Sequence, residues 1–442
     1  MLNYVIFILV RCIDNMKPLK TSDKLDKRQK NFLKKKFGLK AYKDLTPTIL
    51  KKLKEALKTL KDTRVKYKCN YKMWDVVICV IISVLCGKKD WEEISDFVEE
   101  KYDFFRSFLL MTGGIPCSKT YERVMSIIDY KELEKILVGF FKTITKDILA
   151  GIEILSFDGR VSNGSKRKQT LKREEVSPLN MLNVYSSKYQ LCIASEIIDK
   201  KTNEIPTVEN IIKDMCIKGT IVSWDALNTQ KANVRAVIKG EADYIVPIKA
   251  NHPIFYQELK DFFDEKQQDY IRAGKLNTGY KIYHEYKNGA AITYEYYQTI
   301  EVDWYENKDE WEGLYSFGMV KKTIEKEKET VVECRYYISS LDIDTDLFAK
   351  VIRDYWGVEN KLHWHLDFTF RQDKNTTLDK NALANLEIVN KFCLGILKRV
   401  QSLYGISLKR IISKLGTNVE ENFLELIALL VLANGYETGE IN

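Results

Sequence analysis

The chain has 442 residues and a mass of 51.6 kDa, with 45% apolar and 30% charged residues. That composition excludes a disordered chain and allows a large buried core shared among one to three domains. Basic residues outnumber acidic ones by 70 to 62, a formal charge of +8, so an acidic partner such as nucleic acid is permitted but not demanded. The nine cysteines form no CxxC pair and no zinc-site or disulfide-framework spacing, which favours a reducing, intracellular setting.

The first residues, MLNYVIFILVR, carry an apolar run too short to cross a bilayer and have no basic region before it. A short buried segment or an over-extended start, with Met16 as the alternative initiator, is the expectation, and no other stretch reads as membrane-spanning. Residues 1–68 form a basic segment, dense in lysine from position 17. Within it Leu50, Leu53, Leu57 and Leu60 recur at helical spacing. A solvated helical face explains the lysines simply; clustered cations that neutralise phosphates are the functional alternative.

Residues 69–147 read as helices throughout, with an apolar run at MWDVVICVIISVL, a Gly-Lys-Lys break, an amphipathic WEEISDFVEE and a start signal at Ser118 and Thr120. The pattern then changes over 148–270. IEILSFDG, MLNVYSS and YQLCIASEII are three closely spaced strands, followed by helix, strand (GTIVSWDA), helix and strand (ADYIVPIK). Strands that close together have no room for helical crossovers, so a mixed α/β sheet is expected. Residues 271–341 alternate and are rich in aromatics, predicting a β-rich insertion of four or five antiparallel strands. Helix resumes over 342–400, and residues 401–442 form a helical tail.

Three acids stand out. Asp158 and Asp225 each end an apolar strand, where a carboxylate can be held firmly or can simply cap the next turn. Glu359 lies in YWGVENKLHWHLDFTFRQD, with Tyr355, His363 and Asp367 at steps of four along one helix face. Carboxylates from two strands and a helix could hold a pair of Mg²⁺ ions, which prefer oxygen ligands and can activate water at a phosphodiester. His363 is expected to hydrogen-bond Glu359 or Asp367 and not to ligate zinc. Trp356 and Trp364 read as core residues, with stacking on a DNA base as the alternative.

The blocks resemble, in order, those of the H-repeat-associated, ISAs1-type transposases, a branch of the IS4-like DDE transposases, over roughly residues 60–400. DGRVSNGS is similar to the family's first block at Asp158, Gly159, Arg160, Gly164 and Ser165, and DKKTNEIP to its Lys-Ser-Asn-Glu-Ile run at Lys201–Ile205. IVSWDALNTQ carries Asp225, and GEADYIVPIKANH has His252 where the family has glutamine. In the last block Tyr355 replaces a histidine, while Trp356, Glu359, Asn360, Leu362, His363, Trp364, Leu366, Asp367, Phe370 and Asp373 match.

The resemblance implies a ribonuclease-H-like mixed sheet with a β-rich insertion before the last catalytic helix, preceded by a helical N-terminal domain that serves DNA binding or transposase association. It implies Asp158, Asp225 and Glu359 as metal-binding catalytic acids, with Mg²⁺ as cofactor and Mn²⁺ as a possible substitute. Arg160, Lys201, Asn203, Lys249, Arg353, Asn360, His363 and Asp367 become supporting or DNA-contacting candidates. Double-stranded DNA, both element ends and target, is the implied partner, bound by a homodimer in the DNA complex of a bacterial, cytoplasmic, nucleoid-associated protein without membrane association. A domesticated DNA-binding protein or a nuclease without transposition is the rival reading.

Overall fold

The computed structural model describes residues 50–144, 152–168, 175–198, 204–327, 329–419 and 422–423. Most of the basic N-terminal segment, the end of the C-terminal tail, and Lys201 and Asn203 lie outside the described residues. The apolar run MWDVVICVIISVL forms helix α1 (Met73–Leu85), buried along nearly its whole length. Helix α2 (Trp91–Glu100) starts at Asp90, whose carboxylate accepts from the Glu93 amide at 2.8 Å. Helices α3 (Tyr102–Arg106), α4 (Ser118–Ser126) and α5 (Tyr130–Ile144) complete the helical domain.

Strands β1 (Ile154–Ser162), β2 (Leu179–Ser186) and β3 (Leu191–Ile197) pair antiparallel in chain order. Helix α6 (Glu204–Asp214) crosses over to β4 (Ile221–Trp224), and α7 (Lys231–Lys239) to β5 (Asp243–Ile248). Those crossovers let β4 run parallel to β1, and β5 parallel to β4. The resulting order β3-β2-β1-β4-β5 is the expected ribonuclease-H-like core.

Helices α8 (Pro253–Phe262) and α9 (Glu265–Arg272) lead into the insertion. It has four strands, β6 (Thr278–Lys287), β7 (Ala290–Thr299), β8 (Ser316–Lys326) and β9 (Glu329–Ser339), all antiparallel. β9 also pairs with β5, so one sheet of nine strands runs β3-β2-β1-β4-β5-β9-β8-β7-β6.

Alternation along the strands sorts the side chains into two layers. Leu155, Phe157, Val222 and Trp224 face α6 and α7 through Val208, Val234 and Val237. Ile154, Ile221 and Ile245 face the other way, onto Phe348, Val351 and Ile352 of α10 (Thr345–Val358). That helix lies flush on the insertion: a Cβ added at Gly318 of β8 would sit 2.3 Å from the Phe348 ring. Past α10 the helix widens into two successive π turns, Glu359–His363 and His365–Thr369. Helix α11 (Lys380–Tyr404) then runs between the helical domain and the sheet, and α12 (Leu408–Thr417) follows. Asn385 of α11 ties the two parts by donating to the carbonyls of Met125 and Ile128, both at 2.8 Å.

Candidate active site

The parallel register pairs Phe157 with Trp224 and ends there, which puts Asp158 and Asp225 side by side. Asp225 follows the end of β4, whereas Asp158 lies within β1 and not at the strand end expected of it, because β1 goes on pairing with β2 to Ser162. Both bulky partners point into the α6–α7 layer, which directs the two aspartates toward the α10 side. Glu359 begins the π turn at the end of α10, above that edge. Here the carboxylates of Asp158 and Glu359 and a ring nitrogen of His363 lie within 4.8 Å of one another. His363 Nδ1 is 3.2 Å from Glu359 Oε2 and 3.6 Å from Asp158 Oδ2.

Exposure grades across this cluster. The Glu359 side chain is 72% exposed, that of Asp158 27% and that of His363 only 7%, so Glu359 stands at the solvent edge while His363 lies behind it. Burial holds the imidazole's pKa below its ordinary value, with Glu359 pulling the other way. A neutral ring keeps a lone pair on one nitrogen, and two carboxylate donors beside it form a set that suits a divalent cation. His363 was expected only as a hydrogen-bond partner; its place beside both acids adds it to the candidate ligands.

Asp225 stands apart from this cluster among the described residues. Its carboxylate accepts from the Ala226 amide at 2.7 Å and from Lys249 Nζ at 3.2 Å, so it caps the following turn as well as ending a strand. Lys249 is exposed at the end of β5, beside the strand edge that carries the acids. His252, which replaces the usual glutamine, bonds the Thr229 carbonyl at 2.6 Å and packs edge-on against Trp311.

Arg160 is turned inward, away from solvent. Only 7% exposed, it binds Asp367, donates to Gln372 Oε1 at 2.6 Å and to Ser162 Oγ at 3.1 Å, and lies 3.5 Å from Asp373 and 3.7 Å from Glu387. Asp367 is therefore the partner of Arg160, not of His363. The rest of the DGRVSNGS block is also scaffold. A Cβ at Gly164 would meet the carbonyl oxygens of Asp373 and Asn375 at 2.5 and 2.6 Å, and Ser165 Oγ donates to the Ser162 carbonyl at 2.7 Å. Together these contacts hold β1 against the chain that follows Glu359.

Arg353 stacks its guanidinium 4.8 Å over the Tyr283 ring, and Arg335 stacks 4.9 Å over Trp356, on the insertion side of α10. Asn360 is exposed next to Glu359. Trp364, read as core, is 47% exposed and stacks on Phe368 with ring centroids 4.8 Å apart. It stands between the two π turns, and its amide donates to the Glu359 carbonyl, five residues back.

Three charged residues of α11 were missed because its sequence reads as an ordinary apolar helix. Glu387 accepts from Ser162 Oγ, Lys391 Nζ donates to Asn183 Oδ1 at 2.6 Å, and Lys398 Nζ donates to the Lys361 carbonyl. All three are buried. No helix among the described residues is long and apolar enough to cross a membrane.

Comparison with known proteins gives the same direction. The model of the Transposase DDE domain matches residues 150–393, and that of the DDE_Tnp_1-associated domain matches residues 54–141. YhhI, an H repeat-associated protein of Escherichia coli strain K12, is 27% identical over 358 residues, covering 79% of this chain and 90% of its own. YncI of Escherichia coli O157:H7 is 25% identical over 373 residues, covering 84% and 93%. Among solved structures, the piggyBac transposase synaptic complex with hairpin DNA aligns over 88% of this chain and 77% of its own, at 11% identity and a TM-score of 0.38. With the Transposase DDE domain covering its catalytic half, the chain belongs to the DDE transposases, divalent-metal-dependent enzymes that act on DNA by cutting it and transferring its strands.

Proposed function

We propose that Asp158, Asp225 and Glu359 are the catalytic acids with which this enzyme cleaves the ends of its own mobile element and joins them to target DNA. The convergence of Asp158, Glu359 and His363 within 4.8 Å carries this reading. Asp158 and Glu359 would hold the metal, with His363 as a further donor through its neutral ring and Asp225 contributing from the neighbouring strand end. A bound divalent cation there supplies Lewis-acid activation of the attacking oxygen and charge neutralisation at the phosphodiester. Oxygen-rich ligation favours Mg²⁺, with Mn²⁺ as a substitute.

The protein's own groups orient the reaction. Glu359 presents its carboxylate at the solvent edge, with His363 Nδ1 3.2 Å behind it; this nitrogen donates to Glu359 in one tautomer and offers its lone pair to a cation in the other. Lys249 holds Asp225 in place and offers a cation to a phosphate approaching the strand ends. Arg353 and Asn360 extend the polar surface on the α10 side, and Lys201 and Asn203 belong to the same site by family resemblance. No side-chain covalent intermediate is needed, since water and a DNA 3′ hydroxyl are alternative nucleophiles for one in-line displacement. The enzyme works as a homodimer that brings two element ends together, in the nucleoid of a bacterial cytoplasm.

The test is incubation of the full chain with the DNA flanking its gene and Mg²⁺, mapping cuts on both strands. Asp158→Asn, Asp225→Asn and Glu359→Gln are expected to lose cleavage while retaining end binding. Undiminished cleavage by Glu359→Ala would overturn the assignment.

A further inference from the structure

We propose that Lys398 is a positioning residue for the metal site: from α11 it grips the first π turn so that Glu359 and His363 stand over Asp158. This rests on the reading of those three residues as metal ligands.

Lys398 is 8% exposed, and its ammonium meets the Lys361 carbonyl and, at 5.9 Å, the face of the Tyr185 ring. Among the described residues no carboxylate lies within ion-pair distance of it. A buried cation without a counter-charge is costly, and an apolar side chain of the same length would fill the space without that cost. Its donors, not its bulk, are therefore the feature to explain. The carbonyl they reach lies midway between Glu359 and His363. In a π turn the amide of residue i+5 closes on carbonyl i, as Trp364 does on Glu359, so each residue rotates less than in an α-helix. A donor from outside gives a half-buried carbonyl in that widened stretch a partner and braces the turn. Closing it to ordinary α winding would rotate Glu359 and His363 against each other and away from Asp158.

The rest of α11 is built alike. Glu387, Lys391 and Lys398, spaced by four and seven residues, share one helix face. Glu387 holds Arg160 and Ser162 of β1. Lys391 holds Asn183, the direct ladder partner of Asp158 in β2. Each charged residue of this stripe thus secures a different segment that carries or flanks a candidate ligand, and Lys398 secures the one that carries two.

The experiment uses the full chain and Mn²⁺ as the probe. Binding is measured by titration calorimetry, and the metal-free melting temperature is recorded for each protein. Lys398→Met removes the donor and keeps the length; Lys398→Gln keeps an N–H donor for the carbonyl. The methionine protein is expected to melt no lower than the parent yet bind Mn²⁺ about tenfold more weakly, the scale of losing a group that orients a ligand. The glutamine protein is expected to recover most of that loss. Half-saturating Mn²⁺ for cleavage should rise in parallel, with the rate at saturating metal nearly unchanged. Mn²⁺ binding at the parent level in Lys398→Met, or equal loss in both variants, overturns the proposal. If the methionine protein does not fold, Lys398→Leu takes its place against the glutamine variant. Glu359→Gln separates the two levels: if it also binds Mn²⁺ like the parent, the metal-site reading itself has failed. If it loses binding while Lys398→Met does not, only the positioning role falls.

Discussion

Arg160 of β1 and Glu387 of α11 lie 3.7 Å apart, both nearly sealed from solvent. Removing the arginine leaves Glu387 as an uncompensated buried charge, whereas Arg160 without Glu387 keeps Asp367 and Asp373. Arg160→Met should therefore lower unfolding stability by about 3–5 kcal/mol, read from the urea midpoint at unchanged slope. A cost under about 1 kcal/mol would mean that the pair is not formed in solution.

The same geometry separates scaffold cations from DNA-binding ones. Lys249 is exposed beside the strand ends, so Lys249→Ala should reduce the salt dependence of DNA binding by about one unit of slope. Arg160→Lys should leave that slope unchanged while lowering stability, because its guanidinium is spent inside the protein. A reduced slope for Arg160→Lys would reassign it to the DNA surface.

His363 faces both Glu359 and Asp158, so His363→Ala removes a donor from beside both acids. Divalent-metal affinity should fall by roughly tenfold or more, with DNA binding in the absence of metal preserved. Calorimetric titration of the variant with Mn²⁺ beside the parent decides this, and equal affinities would confine His363 to packing.

His365 sits in the second π turn, where burial, reinforced by the Lys398 charge, pushes its pKa down to about 4. The unfolded chain, with an ordinary value near 6.5, binds more protons between these two pH values. Its contribution to stability is thus intact above about pH 6.5 and is lost as the pH falls toward 4. His365→Gln should flatten the melting temperature over that interval. A parent-like acid slope in the variant would place the titrating group elsewhere.

Gly318 gives α10 its close seat on the insertion. Gly318→Ala forces the added methyl into the Phe348 ring, and overpacking of this kind costs about 1–3 kcal/mol. Because α10 ends at Glu359, cleavage should fall by more than the loss of folded protein accounts for, measured at a temperature where both proteins remain folded.

The strands, their mixed directions and the insertion were legible because alternation and spacing are local properties of the chain. Asp225 was legible as a strand end for the same reason; Asp158 was assigned an end it does not occupy, because β1 continues along β2 to Ser162. The roles of Arg160 and Asp367 were not legible, since the contact between them depends on how β1 meets a segment two hundred residues later. Trp364 was misread because a tryptophan in a helix reads by type as core, and the π turns on either side of it carry no compositional mark. The α11 charges hid for a related reason: in a stretch read as an apolar helix, nothing local shows that Lys391 and Lys398 are covered by the sheet.

The nine-stranded sheet has a practical corollary. Since β9 hydrogen-bonds to β5, the aromatic segment 271–341 is spliced into the central sheet and does not hang from it. A shortened protein lacking that segment would bare the long edge of β5, offering it to other chains. Exchange of this region between relatives would then need to carry the matching edge with it, so recombination would respect the β5–β9 seam and not the boundary written in the sequence.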